Sequence, residues 1–106
     1  MGTVYNVFMH VIAKKKLLDY CEQYPEARKK LLAWHADVEA SQWSQHIDVK
    51  NIYGGNVSFV GDKVVVFDIK GTSYRLVVRV EYKYKCVYIR WFGTHAEYDN
   101  VDVANI

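Results

Sequence analysis

Four side chains in the last third of the chain have the chemistry to act on a charged substrate: Arg75, Arg90, His95 and Tyr98. An arginine is always charged, and its planar guanidinium matches the oxygens of an anion such as phosphate. Histidine has an unperturbed pKa of about 6.5, so His95 can accept and donate protons near neutral pH. A tyrosine can donate a proton through its hydroxyl, and its ring can stack on another ring. These residue types indicate anion binding combined with acid–base chemistry.

Each of these residues also has a purely structural interpretation. Arg75 can form an exposed ion pair with Asp68 or Glu81, and Tyr98 can pack the C-terminal turn onto a sheet. His95 can stabilise the turn after the last strand, and residue type alone favours that role over catalysis. For Arg90 the structural and functional interpretations are evenly balanced.

Other candidate residues carry a weaker signal. Lys70, Arg79 and Tyr88 can also contact an anionic ligand, although a surface ion pair is the better interpretation of the two cations. No metal is predicted, because the spacing of the remaining histidines does not resemble that of a ligand set; these are His10, His35 and His46. The sequence also lacks a glycine-rich phosphate loop, a nucleophile motif and a zinc signature, so no cofactor is predicted.

The strands that position these residues are visible as alternating patterns, because successive side chains of a strand point to opposite faces. In the strand that begins at Tyr74, the side chains on one face form a largely apolar row: Tyr74, Leu76, Val78, Val80 and Tyr82. The opposite row consists of Arg75, Val77, Arg79 and Glu81. In the next strand Val87, Ile89 and Trp91 form the predicted core row, whereas Cys86, Tyr88, Arg90 and Phe92 face away. The arginines are therefore predicted on the face opposite the core.

The preceding chain is predicted to pack helices against this sheet. We expect a short strand at 7–12, helices at 14–24 and 26–40 separated by Pro25, and a short helix near 48–53. Trp43 and Ile52 are expected core anchors. Strands are expected at 57–60 and 64–70, joined by a turn at 61–63. The order is an α+β plan, with an N-terminal strand and a helix hairpin packed on an antiparallel β-meander.

Length and composition indicate one domain of ordinary globular character. We interpret residues 9–106 as that domain and residues 1–8 as a possible extension, since Met9 is an alternative start. Cys21 and Cys86 are too few for a disulfide framework. No apolar run reaches the length of a membrane helix and no signal peptide is recognisable, so a cytoplasmic location is expected.

Basic residues are concentrated in the sheet region. The net charge is only +2, but residues 63–90 contain seven Lys and Arg against Asp68 and Glu81. This distribution suits a polyanion such as RNA or an acidic protein segment, and it suits a solvated sheet face equally well.

The C-terminal strands carry a resemblance to a known family. The predicted helix hairpin is followed by VVVFDIKGTSYRLVVRVEY and then VYIRWFGTHAEYD. This arrangement resembles the HigB family of bacterial toxins within the RelE-like superfamily, from Met9 onward. The most specific pieces are GTSYRL at 71–76 and GTHAEYD at 93–99, which occur in order at the ends of two strands.

The resemblance implies the toxin of a type II toxin–antitoxin system. Such toxins are mRNA endoribonucleases that usually act on translating ribosomes and are neutralised by a HigA-like helix-turn-helix antitoxin. Cleavage without a metal uses the RNA 2′-hydroxyl as nucleophile and needs a base, an acid and cations around the phosphate. We therefore expect Arg75, Arg90, His95 and Tyr98 in catalysis.

The same resemblance extends to RNA binding, for which Lys70, Arg79 and Tyr88 are the expected contacts. The alternative is a non-catalytic RNA- or ribosome-binding module of the same fold, and a weaker third possibility is a protein-interaction domain. The neighbouring gene is an inexpensive test, because a small helix-turn-helix protein encoded there would favour the toxin.

Overall fold

The computed structural model describes residues 8–106 as five strands with helices between them. Residues 1–7 lie outside this part of the chain, and with them most of the predicted extension at 1–8 and the first residue of the strand predicted at 7–12. The observed strand begins at His10, three residues later than predicted. The elements, with short 3-10 turns omitted, are β1 (His10–Ile12), α1 (Lys14–Gln23), α2 (Arg28–Glu39), α3 (His46–Tyr53), β2 (Val57–Val60), β3 (Val64–Ile69), β4 (Tyr74–Glu81), β5 (Cys86–Thr94) and α4 (His95–Tyr98).

The five strands form one sheet in the order β1-β5-β4-β3-β2. Strands β2 to β5 pair antiparallel as a meander, and β1 joins β5 in parallel. The predicted α+β architecture, with an N-terminal strand and helices packed on a meander, is therefore confirmed. The parallel pairing of β1 is a detail that the sequence pattern did not reveal.

The helix hairpin forms because each helix presents an apolar stripe to the same face of the sheet. Leu17 and Cys21 of α1 and Leu31, Trp34 and Val38 of α2 are all buried. They share one core with the inward row of β4 and β5, and ring contacts such as Trp34 against Phe67 of β3 join the layers. Between the helices, Pro25–Ala27 forms a 3-10 turn, so α2 begins at Arg28, two residues later than predicted.

A β-bulge in β5 changes which residues face the core. Val78 is opposite Ile89, but Val77 is opposite Trp91, so Arg90 is an extra residue in β5 without a partner in the register. The inward row therefore shifts by one position beyond Arg90. Phe92 is buried in the core at 2% exposure, whereas Trp91 is only partly buried and faces the other side. The prediction that Trp91 lies in the core row and Phe92 faces away was wrong.

Two core residues were predicted in the segment before β2, and the structure confirms Trp43 but not Ile52. Trp43 is 1% exposed and contacts the rings of Tyr53 and Phe67. Ile52 is 61% exposed, because α3 buries Val49 and packs the partly buried Tyr53 against the core instead. The helix begins earlier than predicted, at His46, where Gln45 and Asp48 satisfy each other's backbone amides in a capping box.

The face of the sheet opposite the helices is called the open face below. Register places Asp68, Arg75, Val77, Arg79, Tyr88 and Trp91 on it. Val66 and Val77 in its centre are buried without belonging to the main core. The open face therefore has an apolar centre, with charged and aromatic residues towards both ends of β4.

Candidate RNA-cleavage site

Helix α4 presents two candidate catalytic side chains and is held by a capping box. The Thr94 hydroxyl accepts a hydrogen bond from the Glu97 amide at 3.1 Å, and the Glu97 carboxylate accepts one from the Thr94 amide at 2.8 Å. The Tyr24 hydroxyl, at the end of α1, donates to the same carboxylate at 2.9 Å. The hydrogen bond from the Thr94 amide, aided by those from Tyr24 and the Thr94 side chain, keeps the pKa of Glu97 below its ordinary value. Glu97 therefore anchors α4.

Gly93 is required where β5 passes into α4. A Cβ at this position would lie 2.6 Å from Cη2 of Trp91 and 2.9 Å from Oε1 of Glu97. These distances are shorter than van der Waals contact, so only glycine lets the Trp91 ring and the capping carboxylate approach the strand. Steric contact therefore explains why the first residue of the GTHAEYD motif is a glycine.

Arg75 is held by several neighbours at the start of β4. Its Nε forms an ion pair with Oδ1 of Asp68 at 3.2 Å, and its Nη1 donates to the backbone oxygen of Thr72 at 3.0 Å. Its guanidinium carbon lies 6.0 Å from the centre of the Tyr98 ring. The side chains of Arg75 and Asp68 are 14% and 15% exposed, so the ion pair considered for Arg75 in the sequence is partly buried. No hydrogen bond within residues 8–106 uses Nη2, which can receive a further acceptor.

His95 and Tyr98 lie three residues apart on α4, beside Arg75. The His95 amide donates to the backbone oxygen of Ser73 at 3.0 Å, which joins the start of α4 to the turn that precedes Arg75. The imidazole is 53% exposed, and its Nε2 lies 3.8 Å from Oδ1 of Asp99. The Tyr98 ring also contacts Trp91, with 6.1 Å between ring centres. Three of the four predicted catalytic residues therefore meet at one end of the open face.

The fourth predicted catalytic residue, Arg90, lies elsewhere on this face. It lines an open pocket of about 480 Å³ together with Lys63, Arg79, Glu81, Tyr84 and Tyr88. Arg79 and Tyr88 are opposite each other in the register of β4 and β5. Two of the three residues predicted to bind RNA are thus in the same pocket as Arg90.

The third, Lys70, faces a different part of the molecule. It lies in the turn between β3 and β4 with a φ of 57° and is exposed. It lines a smaller pocket of about 240 Å³ with Lys30 and Asp37 of α2. Asp68 also lines this pocket, so Lys70 is near the Arg75 end rather than the Arg79 end of the open face.

Three residues of this surface did not enter the predicted site. Trp91 was assigned to the core, and only the bulge at Arg90 brings it to the open face beside Tyr98. Lys63 and Tyr84 lie in turns, and no periodicity in the sequence connects them with β4 and β5. Their turns do lie next to strands that pair, which is the signal that could have located them.

The described residues lack two features, a cluster of metal-ligating side chains and a membrane-spanning helix. Residues 8–106 contain no group of three or more His, Cys, Asp or Glu side chains placed to hold a metal ion. Within the same range, every helix is too short or too polar to cross a membrane.

The fold and site together define a class of protein. A small α+β chain whose meander carries an arginine beside a histidine and a tyrosine on the short helix that follows has the architecture of RelE-like toxins. The sequence model of the HigB toxin family, described as the RelE-like toxic component of a toxin–antitoxin system, matches residues 27–101. The chain belongs to this family.

Curated relatives agree with the family assignment. The mRNA interferase toxin HigB of Escherichia coli strain K12 is 31% identical over 93 residues, covering 86% of this chain and 88% of that protein. The mRNA interferase HigB of Escherichia coli O157:H7 and that of Shigella flexneri match with the same identity and coverage.

Proposed function

We propose that this protein is an mRNA interferase, the endoribonuclease toxin of a type II toxin–antitoxin pair. The observation that carries the proposal is the meeting of Arg75, His95 and Tyr98 at one end of the open face, in a chain of the HigB family. The relatives named mRNA interferase support the same activity.

In the proposed reaction the 2′-hydroxyl of the RNA attacks the adjacent phosphate and the 5′-oxygen leaves. Arg75 binds a phosphate oxygen through Nη2 and stabilises the charge that develops there, while Asp68 keeps its guanidinium in place. His95 exchanges a proton with the reacting oxygens, for which its exposed imidazole is well placed. Tyr98 stacks on a base or positions the 2′-hydroxyl, and Asp99 orients His95.

The remaining cations extend the binding surface. RNA crossing the open face would meet Arg79, Arg90 and Tyr88 at one end of β4, and Lys70 near the other end. Stacking and phosphate contacts of this kind are typical of proteins that bind single strands. We place Arg90 at a phosphate next to the cleavage site or further along the strand.

Partners and location follow from the same proposal. The family is defined by a partner antitoxin, and we propose a HigA-like helix-turn-helix protein that covers the open face or blocks its access to the ribosome. The RNA target is mRNA, cut on translating ribosomes. The protein would therefore act in the cytoplasm, where mRNA is translated.

The test is induction of the wild-type gene in bacteria without its antitoxin. Growth should stop, and primer extension on a reporter mRNA should show new 5′ ends. Arg75→Ala and His95→Gln should abolish toxicity while the purified variants keep their circular dichroism spectra. Lys15→Ala is a matched control, because Lys15 is 88% exposed on α1 and its one ion pair among residues 8–106 is with Asp19. Wild-type protein that neither stops growth nor yields new 5′ ends would refute the proposal.

Two contacts favour the second candidate, a non-catalytic RNA-binding module. The Arg75 guanidinium is already paired with Asp68, and His95 Nε2 lies 3.8 Å from Asp99, which is long for a hydrogen bond. Both candidates predict salt-dependent RNA affinity. Only the nuclease yields cleavage products, so incubating purified protein with translating ribosomes and mRNA separates them.

A further inference from the structure

The open pocket at the Arg79 end of the open face is a cationic site organised around one carboxylate. Glu81 accepts hydrogen bonds from Lys63 Nζ at 2.9 Å and from Arg79 Nε at 3.3 Å. One carboxylate thus holds two cations side by side, and Lys63 is the main reason why the pKa of Glu81 is below its ordinary value. The pocket of about 480 Å³ is in the size range of small-ligand sites.

Arg90 adds a cation that is not neutralised. The bulge turns Arg90 out of the regular alternation of β5, and Lys16 of α1 donates to its backbone oxygen at 2.7 Å. Among residues 8–106 its guanidinium makes no hydrogen bond or ion pair. With Lys63, Arg79 and Arg90 against Glu81, the pocket has two positive charges in excess.

Two phenol rings complete the lining. Tyr88 is partly buried on β5 beside Arg79, and Tyr84 is 66% exposed in the turn between β4 and β5. Lys83 Nζ lies 5.6 Å from the centre of the Tyr84 ring. Aromatic rings next to the unneutralised guanidinium of Arg90 suit a ligand with both a flat base and a phosphate, whereas an acidic peptide would use the cations alone.

We propose that this pocket is a second nucleotide subsite, which binds an unpaired nucleotide of the RNA at a distance from the cleaved phosphate. The inference rests on the proposed function, because it takes the substrate to be RNA. Arg79 and Arg75 are four residues apart on β4, or about 13 Å. The subsite is therefore separate from the Arg75 end, and a short run of extended nucleotides connects the two. Tyr84 and Tyr88 stack on the base, and Arg90 binds its phosphate.

The test is binding of a fluorescein-labelled, 2′-O-methyl RNA of about 12 nucleotides, measured by anisotropy over a series of salt concentrations. This probe has no free 2′-hydroxyl and cannot be cut, so the result does not depend on whether the protein is a nuclease. Arg90→Ala should lower the salt slope by about 0.7, which is about five-fold in affinity at ~0.1 M salt. Tyr84→Ala should weaken binding by about five-fold or more, and Tyr84→Phe should restore it because the ring is kept.

Control variants decide whether the subsite is separate. Lys15→Ala removes an exposed cation on α1 and should bind as wild type. In the double variant Arg75→Ala with Arg90→Ala, the fold-loss of RNA affinity should equal the product of the two single fold-losses, because the free-energy changes at distant sites add. Wild-type affinity and slope in both Arg90→Ala and Tyr84→Ala would overturn the subsite. So would variants that keep RNA affinity but lose binding of the antitoxin, since the pocket would then be a protein contact.

Discussion

Replacing Gly93 by alanine tests whether the junction between β5 and α4 positions the candidate site. The added methyl group would lie 2.6 and 2.7 Å from two carbons of the Trp91 ring and 2.9 Å from Oε1 of Glu97. Neither side chain can move away without losing a contact. The Trp91 ring packs against Tyr98, and the Glu97 carboxylate binds the Thr94 amide and the Tyr24 hydroxyl.

The expected magnitude comes from these contacts. Inserting a methyl group into a packed site costs about 1–3 kcal/mol of unfolding free energy, which lowers Tm by roughly 5–20 °C in a domain of this size. The cleavage rate should fall by a larger factor than the unfolding free energy. If α4 moves by about 1 Å, His95 and Tyr98 lose their position relative to Arg75, and such a displacement can reduce the rate about 100-fold.

The assay compares Gly93→Ala with Gly55→Ala by thermal unfolding and by cleavage of a reporter mRNA. Gly55 is the matched control, because a Cβ there meets nothing within 4 Å and its φ is not positive. Its variant should stay within about 1 kcal/mol of the wild type. Equal Tm values for the two variants, together with wild-type cleavage by Gly93→Ala, would refute the steric explanation of the motif.

Three further variants test other parts of the structure. Thr94→Val removes the acceptor of the α4 cap and should cost about 1 kcal/mol in thermal unfolding, whereas Thr94→Ser should match the wild type. The hydrogen bond to the Glu26 carboxylate raises the pKa of Tyr74 to about 12. It therefore contributes stability that is complete below pH about 10 and lost as pH rises through about 12. Urea unfolding should show a shallower decline of stability over this window in Tyr74→Phe, and an unchanged decline would contradict the assignment. Asp68→Ala should reduce mRNA cleavage about tenfold or more by releasing Arg75, and a wild-type rate would exclude this positioning role.

Much of the fold follows from local patterns that the sequence displays directly. The stripe of Leu31, Trp34 and Val38 and the alternation along β4 each depend on only one element. Such features are set by neighbours a few residues apart, which is why they were predicted close to their observed positions.

The bulge at Arg90 could not be predicted in the same way. A strand pattern determines which face a residue occupies only if the pairing continues without an inserted residue. Nothing in the residues of β5 marks the insertion, because it depends on the register against Val77 and Val78 of β4. The exchange of Trp91 and Phe92 between faces and the entry of Trp91 into the candidate site follow from it.

Arg75 and Arg90, at the two ends of the open face, differ in how firmly they are held, and this difference supports separate roles. At one end Arg75 is fixed by Asp68, by the Thr72 oxygen and by the Tyr98 ring. Stabilising a transition state requires charges that are already in place, since reorganising them during the reaction costs free energy. At the other end Arg90 has no partner among the described residues and can adapt to a strand of variable sequence. On the proposed function, the fixed end would therefore be the one that cuts and the adaptable end the one that binds. Fixing Arg90 with a new acidic neighbour should accordingly weaken RNA binding more than it slows the cleavage step.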